Sequence, residues 1–320
     1  MIDLRDVYDA RRSIEGEVKR TPLERSAFLS ELCHGDVYLK LENRQTTNSF
    51  KIRGALAKMK RLSQEELRRG VVTASSGNHA QAVAICVERL KSHATIVVPV
   101  TTPKIKIERI RHQDVELVLH GDVYDVAEQF AKRLAKERSL TYLSPYNDPV
   151  VVAGQGTIGL EILEDCPKVD SIIVPVGGGG LLAGIATATK GVRPNIELLG
   201  VQPEGSAAMY HSLKAGKIID VEIRETIADG LSGNVEKESV TFQVVQRYVD
   251  EILLFDERTI KRMIRLLWEK EGQVVEGSGA ISIAPIVKTP DRFAGRRTVC
   301  VISGGNIDDD MFKGIISGNT

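Results

Sequence analysis

The sequence has few cysteines, no excess of charge of either sign and no long apolar run. Its four cysteines are scattered, and none of them has CxxC or metal-ligand spacing. We therefore expect reduced thiols in the core of a cytoplasmic protein. The 43 basic and 43 acidic residues balance, which argues against nucleic acid or a membrane surface as a partner. No apolar run approaches the roughly 20 residues of a membrane span, and the charged first residues do not resemble a signal peptide.

What the chain does contain is a regular alternation of short apolar runs with helix-period segments. The apolar runs predict strands at 37–42, 71–74, 94–98, 115–119, 171–176, 196–201 and 298–302. The segments between them predict helices at 50–59, 78–90, 104–111, 123–137 and 181–189. This alternation predicts an α/β architecture with mostly parallel sheet. Functional residues are then expected at the carboxyl ends of the strands.

Lys51 is a candidate for covalent chemistry. It lies where an extended run turns into a predicted helix, and Ser49 is the expected N-cap, which places Lys51 in the first helical turn. The positive end of the helix dipole disfavours an ammonium ion there and so lowers the pKa of the lysine. A partly neutral lysine can form a Schiff base with a carbonyl compound. Taken alone, this segment also fits an ordinary solvated lysine.

Three clusters of small residues directly follow predicted strands, at 74–79, 177–180 and 303–306. The glycine run opens a predicted helix, so its backbone N–H groups suit a phosphate, although a tight turn is the alternative. The loop at 75–79 offers hydroxyl and N–H groups that suit a carboxylate. Because the carboxyl ends of parallel strands meet at one edge of a sheet, we expect these clusters to converge.

In this order and spacing the motifs resemble the fold-type II enzymes that depend on pyridoxal 5'-phosphate (PLP), in the threonine/serine dehydratase and serine racemase branch. The segments that carry the resemblance are 49–55, 75–81, 153–157, 177–181, 276–280 and 303–306. It implies two open twisted, mostly parallel sheets flanked by helices. It also implies a large PLP-binding domain at 1–61 and 148–320, a small inserted domain at 62–147, and a homodimer or homotetramer.

The resemblance further implies roles for individual residues. Lys51 would carry PLP as a Schiff base and, once freed, remove the Cα proton as general base, while Ser76 matches a second acid/base residue. The implied cofactor-binding residues are Phe50, Lys51, Asn78, Gly177, Gly178, Gly179, Gly180, Leu181 and Ser303. The implied substrate-binding residues are Ser75, Ser76, Gly77, Asn78, His79 and Asn147.

Three positions keep a second interpretation. His79 invites a general-base role, but we prefer a packed or capping histidine. Asn147 equally fits a turn asparagine before Pro149. Glu276 lies either near the cofactor or simply at a helix N-terminus, where an acid is favourable.

Asn48, Gln202 and Ala208 depart from the family pattern. Asn48 stands where most dehydratases have glycine, and because asparagine best replaces glycine in the left-handed region, we expect a positive φ there. Gln202 and Ala208 stand where serine racemases and some dehydratases have acidic metal ligands. Neutral residues cannot form that oxygen cage, so we expect no metal, although Glu204 leaves a shifted site open.

The resemblance implies a lyase (ammonia-lyase) that deaminates a β-hydroxy amino acid, converting L-threonine to 2-oxobutanoate or L-serine to pyruvate. The loops at 202–209 and 229–234 look more like hydroxyectoine-utilisation and phenylserine dehydratases, which leaves a threonine analogue (hydroxyaspartate included) as an alternative substrate. Serine racemase is the closest rival activity. A β-replacement enzyme, a non-catalytic protein of the same fold and a dinucleotide-dependent oxidoreductase are weaker alternatives. The GxGxxG string at 154–159 would suit the oxidoreductase, but only a short apolar run precedes it, and we interpret it as a helix start.

Overall fold

Two separate sheets organise residues 2–318, the part of the chain that the computed structural model describes. The strands are β1 (Leu23–Arg25), β2 (Asp36–Leu41), β3 (Val71–Ala74), β4 (Ala94–Val98), β5 (Glu116–Leu119), β6 (Thr141–Tyr142), β7 (Ser171–Pro175), β8 (Glu197–Pro203), β9 (Glu251–Phe255) and β10 (Arg297–Ile302). The larger sheet has the order β1-β2-β10-β7-β8-β9 and the smaller one β5-β4-β3-β6. The smaller sheet lies within the predicted inserted domain at 62–147, whose boundaries stay a prediction.

The strand pairings are parallel except for that of β1 with β2. Every residue of β3, β4 and β7 is buried, as expected where helices cover both faces of a parallel sheet. The predicted α/β class with mostly parallel sheets is therefore confirmed.

Helices cover both sheets. They are α1 (Leu4–Ile14), α2 (Ala27–Cys33), α3 (Lys51–Met59), α4 (Gln64–Arg69), α5 (Asn78–Leu90), α6 (Lys104–Arg111), α7 (Tyr124–Glu137), α8 (Pro149–Asp165), α9 (Gly180–Val192), α10 (Ala208–Ala215), α11 (Val240–Tyr248), α12 (Glu257–Glu271), α13 (Gly277–Ala280), α14 (Ala284–Lys288) and α15 (Asp309–Ser317). In the described part of the chain, no helix combines the length and apolarity needed to cross a bilayer.

The start of α3 corrects one prediction. Lys51 does lie in its first turn, but Ser49 is not the N-cap; that position belongs to Phe50, which makes no side-chain capping bond. Ser49 instead pairs with Gly304 in an isolated antiparallel bridge. The segment that leads into α3 is therefore fixed by backbone pairing with the chain beyond β10.

The GxGxxG string at 154–159 lies inside α8 and not at its start, which corrects our interpretation. A Cβ atom on Gly154 would lie 2.7 Å from Cα of Gly54, and one on Gly156 would lie 2.8 Å from the carbonyl oxygen of Gly184. These glycines let α8 pack closely against α3 and α9. A helix precedes the string where a dinucleotide fingerprint needs a strand.

All four cysteines are buried and unpaired. Burial raises the pKa of the Cys86 thiol to about 12 and raises that of Cys300 as well. Their surroundings are those of core residues, as the scattered spacing predicts.

Candidate active site

Lys51 lies at the junction of the two sheets. Its Nζ atom donates a hydrogen bond to the carbonyl oxygen of Pro145 at 3.1 Å. Loss of hydration lowers the pKa of Lys51 to about 8, although the Glu276 carboxylate partly opposes the shift. The lowered pKa agrees with the prediction from sequence, but burial is its main cause where we expected the helix dipole. A substantial fraction of Lys51 is therefore neutral near physiological pH.

A buried charge cluster fixes α3, the helix that carries Lys51. The Arg53 guanidinium contacts the Glu42 carboxylate at 2.9 Å and the Glu161 carboxylate at 2.6 Å. Lys40 also reaches Glu161, at 2.5 Å. Burial opposes ionisation of Glu161, but Arg53 and Lys40 hold the pKa of its carboxyl below the usual value. Two cations thus match two carboxylates, and α3 has little freedom to shift.

The segment after β10 lies directly beside Lys51. The backbone N–H of Phe50 donates to the carbonyl oxygen of Ser303 at 3.1 Å, and Lys51 Nζ lies 5.1 Å from the centre of the Phe50 ring. The Ser303 side chain is buried and donates to the carbonyl oxygen of Ser278 at 3.2 Å. The lysine and serine motifs, distant in sequence, are thus adjacent in the fold.

The glycine run forms the turn from β7 into α9. Gly179 is the N-cap of α9 at φ +87°, a region that only glycine enters freely, and no side chain caps the helix. The N–H groups of the first turn therefore have no acceptor within the helix. Thr241 Oγ1 donates to the carbonyl oxygen of Gly178 at 2.6 Å, and Leu181 is buried behind the turn. An uncapped helix N-terminus of this kind favours an anion.

A second helix without a side-chain cap is α5, which follows strand β3 of the smaller sheet. The loop between β3 and α5 holds Ser75, Ser76 and Gly77, and Gly77 is the N-cap of α5 without a side-chain bond. Ser75 is fixed through its N–H, which donates to the carbonyl oxygen of Val97 at 3.2 Å. The loop therefore presents hydroxyl and N–H donors, and its binding of a carboxylate stays a prediction.

An amide chain joins this loop to Glu276. Asn306 Nδ2 donates to Asn78 Oδ1 at 2.7 Å, and Asn78 Nδ2 donates to Glu276 Oε1 at 2.8 Å. Burial, together with the charge of Asp229, raises the pKa of the Glu276 carboxyl to about 7, against the opposing bond from Asn78. Glu276 is also the N-cap of α13. The structure thus supports the helix N-terminus interpretation of Glu276, and its place near the cofactor stays a prediction.

His79 and Asn147 have structural partners. His79 Nε2 lies 3.2 Å from the carbonyl oxygen of Leu143. Burial, and secondarily the charge of Lys51, lowers the pKa of His79 to about 3. The ring is therefore neutral, which favours the packed histidine over a general base. Asn147 Oδ1 accepts a hydrogen bond from the N–H of Val240 at 2.9 Å, so this side chain links the start of α8 to the start of α11.

Asn48 has φ +51°, which confirms the expected left-handed conformation. Its carbonyl oxygen accepts the Gly305 N–H at 2.8 Å. Asn48 thus helps to pair the segment before Lys51 with the segment after Ser303.

Gln202 and Ala208 stand where some related enzymes have metal ligands. Gln202 Oε1 accepts the N–H of Tyr210 at 2.9 Å, and Ala208 begins α10. No group of three or more His, Cys, Asp or Glu residues within 2–318 could hold a metal ion. The prediction that this position binds no cation stays a prediction.

Three residues that contribute to the site were not predicted from the sequence. The carbonyl of Pro145 has no side-chain signal, and Thr241 stands in a helix that shows no motif. Tyr146, whose ring lies against Gly178, directly precedes Asn147, which the sequence did single out, but no local pattern tells which neighbour faces the glycine run.

The assembled groups fit PLP. A lysine with a lowered pKa suits its aldehyde, and an uncapped helix N-terminus behind a glycine turn suits its phosphate. Ser303 offers a hydroxyl in the segment that pairs with Phe50, and Asn78 offers an amide at the start of α5.

Comparisons with known proteins agree with this fit. A family model described as pyridoxal-phosphate dependent enzyme matches residues 14–304. An L-threonine ammonia-lyase of Thermotoga maritima is 44% identical over 318 residues, which cover 99% of this chain and 79% of that protein. A catabolic L-threonine dehydratase of Staphylococcus aureus is 40% identical over 320 residues, covering 99% and 92%. The structure of maize serine racemase matches with a TM-score of 0.91 at 33% identity, covering 100% of this chain and 99% of that one.

Proposed function

The chain belongs to the pyridoxal-phosphate dependent enzyme family, and from that premise we propose that it is a deaminating dehydratase of β-hydroxy amino acids. L-Threonine is the expected main substrate, giving 2-oxobutanoate and ammonia, and L-serine a second one, giving pyruvate and ammonia. The observation that carries the proposal is the amine of Lys51, which has a pKa of about 8, bonds the Pro145 carbonyl and follows Phe50, whose N–H bonds the Ser303 carbonyl. Relatives named for threonine deamination at 44% and 40% identity support the substrate.

Lys51, the glycine turn and Ser303 would hold the cofactor. Lys51 would bind its aldehyde through Nζ, the N–H groups at the start of α9 would bind its phosphate, and the Ser303 hydroxyl would face its ring nitrogen. Phe50 would pack beside the ring, and Asn78 would contact the ring oxygen. When bound, PLP supplies the electron sink that makes the Cα proton removable.

The substrate is held and deprotonated by groups of the chain itself. The loop Ser75–His79 at the start of α5 would bind the substrate carboxylate, with Asn147 behind it. Lys51 Nζ, neutral once released, would take the Cα proton as general base. The electron pair of the Cα–H bond would form a Cα–Cβ double bond as the Cβ–OH bond breaks, and the hydroxide would take up one proton and leave as water. Hydrolysis of the remaining C–N bond would consume one water and release ammonia, so the net products are the 2-oxo acid and ammonia.

The test is an assay of the purified protein with PLP against L-threonine, L-serine, phenylserine and hydroxyaspartate, measuring oxo acid and ammonia. Lys51→Ala should abolish turnover, whereas Lys60→Ala, which removes an exposed lysine just after the same helix, should not. Oxo acid formation that survives Lys51→Ala would overturn the mechanism. The best substrate of the panel separates threonine from its analogues.

Serine racemase is the second candidate, because the maize enzyme shares the fold with a TM-score of 0.91, although a threonine deaminase of Solanum lycopersicum matches with the same score. In that case Ser76 would act on the substrate face opposite Lys51. Chiral analysis of serine after incubation decides between them. D-Serine that disappears in Ser76→Ala, while oxo acid formation continues, would assign racemisation to Ser76.

We also propose a cytoplasmic homodimer or homotetramer, with 1–61 and 148–320 as the PLP-binding domain and 62–147 as the small one. Buried, unpaired cysteines support a reducing compartment. The homo-oligomer rests on the family resemblance. Light scattering after size-exclusion chromatography measures the mass.

A further inference from the structure

Tyr146 lies directly against the glycine run. A Cβ atom on Gly178 would lie 2.5 Å from Cε2 and 2.6 Å from both Cδ2 and Cζ of the Tyr146 ring. A Cβ atom on Gly180 would lie 2.9 Å from Cβ of Tyr146. Separations this short are overpacked. The ring therefore requires glycine at position 178, whatever ligand the turn binds.

The Tyr146 ring is itself fixed at its far end. The phenol oxygen accepts the backbone N–H of Glu236 at 3.1 Å. The next residue, Asn147, accepts the N–H of Val240 at 2.9 Å. Residues 146–147 are thus tied at two points to the segment that leads into α11.

The start of α11 also contacts Gly178 directly. Thr241, the second residue of α11, donates through Oγ1 to the Gly178 carbonyl oxygen at 2.6 Å. Gly178 thus has the Tyr146 ring against its Cα and the Thr241 hydroxyl on its oxygen. The side chains of Tyr146 and Thr241 thus hold the turn in one conformation, and both are fixed at or just before the start of α11.

Tyr146 also adjoins the lysine. Pro145, the residue before it, accepts the hydrogen bond from Lys51 Nζ at 3.1 Å. One short segment between β6 and α8 therefore contacts both groups that would hold the cofactor, the amine and the phosphate turn. A change in the position of this segment would alter the distance between them.

We propose that Tyr146 is a positioning residue that fixes the glycine turn in its phosphate-binding conformation, so that the glycine at 178 is required by the Tyr146 ring and not by the phosphate. The inference rests on the proposed use of PLP. It concerns cofactor binding only, and turnover is not needed to test it.

The experiment is a double-mutant cycle on the cofactor-free protein, with Gly178→Ala, Tyr146→Ala and the pair. The dissociation constant of PLP is measured by absorbance titration, and the environment of the bound phosphate by 31P NMR. We expect Gly178→Ala to weaken PLP binding about tenfold or more while Tyr146 is present. In the Tyr146→Ala background the same change should cost much less, because the clash is gone. Tyr8→Ala, which removes an exposed ring from α1, is the matched control and should leave PLP binding unchanged.

An equal loss from Gly178→Ala in both backgrounds would overturn the proposal, since glycine would then be needed by the turn or the phosphate alone. Thermal unfolding of each cofactor-free variant separates misfolding from a binding defect. Tyr146→Phe gives a second test: it removes only the phenol oxygen that bonds Glu236, and we expect weaker PLP binding and a shifted 31P signal. An unchanged 31P signal and unchanged affinity would contradict the positioning role of Tyr146. If the wild-type protein binds PLP but forms no oxo acid, the proposed function fails while this test still stands.

Discussion

Asn78 donates its side-chain N–H to the buried carboxyl of Glu276 at 2.8 Å, and so joins the start of α5 to the start of α13. The two residues belong to opposite halves of the site. Their contact makes the ionisation of Glu276 a property of the assembled site and not of either half.

This contact predicts how stability depends on pH. The pKa of Glu276 is about 7 in the folded cofactor-free protein, against about 4.3 in an unfolded chain. Between these values the folded state binds more protons than the unfolded state, so stability falls as pH rises, by about 4 kcal/mol at most. Glu276→Gln should keep the hydrogen bond from Asn78 and flatten the decline in Tm between about pH 5 and 7. Glu204→Gln, on an exposed residue, is the control; parallel declines in both variants would contradict the prediction.

The lowered pKa of Lys51 predicts the pH dependence of cofactor attachment. Because only the neutral amine attacks an aldehyde, the rate at which the cofactor-free protein takes up PLP should rise about tenfold per pH unit below the pKa. It should level off above about pH 8, the pKa of Lys51. Stopped-flow absorbance measures the rate. A rate still rising steeply at about pH 10 would indicate an ordinary lysine.

Arg53 is expected to be essential for stability. Arg53→Met leaves Glu42 and Glu161 buried with Lys40 as the remaining cation, and should cost about 3–5 kcal/mol in the free energy of unfolding by urea. Arg11→Met breaks an exposed pair with Glu164 and should cost less than about 1 kcal/mol. Similar losses in the two variants would show that the buried cluster does not stabilise α3.

The positive φ of Asn48 predicts which substitutions it tolerates. Asn48→Gly should leave stability and PLP affinity nearly unchanged, because glycine adopts φ +51° without strain. Asn48→Val should lose about 2 kcal/mol of stability and weaken PLP binding, since the Asn48 carbonyl also pairs with Gly305. Urea midpoints and PLP titrations check both; a valine variant as stable as the wild type would contradict the argument.

The sequence predicts seven of the ten strands in the described residues, and those buried on both faces, such as β7, stand out as continuous apolar runs. It misses β1, β6 and β9, which lie at the edges of the sheets. Lys51 and the small-residue clusters are predictable because parallel strands bring their ends together. The cap of α3 was not, because Ser49 pairs with Gly304 from the far end of the chain, which no local pattern shows. Likewise, the glycines of α8 look like a ligand motif until Gly54 and Gly184 are seen against them. Tyr146 and Thr241 depend on tertiary packing alone.

The buried cysteines can be used to measure local opening of the folded protein. Cys86 lies in α5, against the smaller sheet, and Cys300 lies in β10, within the larger one. A thiol reagent can reach either residue only when that region opens, and the raised thiol pKa keeps intrinsic reactivity low until then. Labelling rates at the two positions, read by mass spectrometry on one sample, would therefore compare the opening free energies of the two sheets and show which of them PLP holds shut.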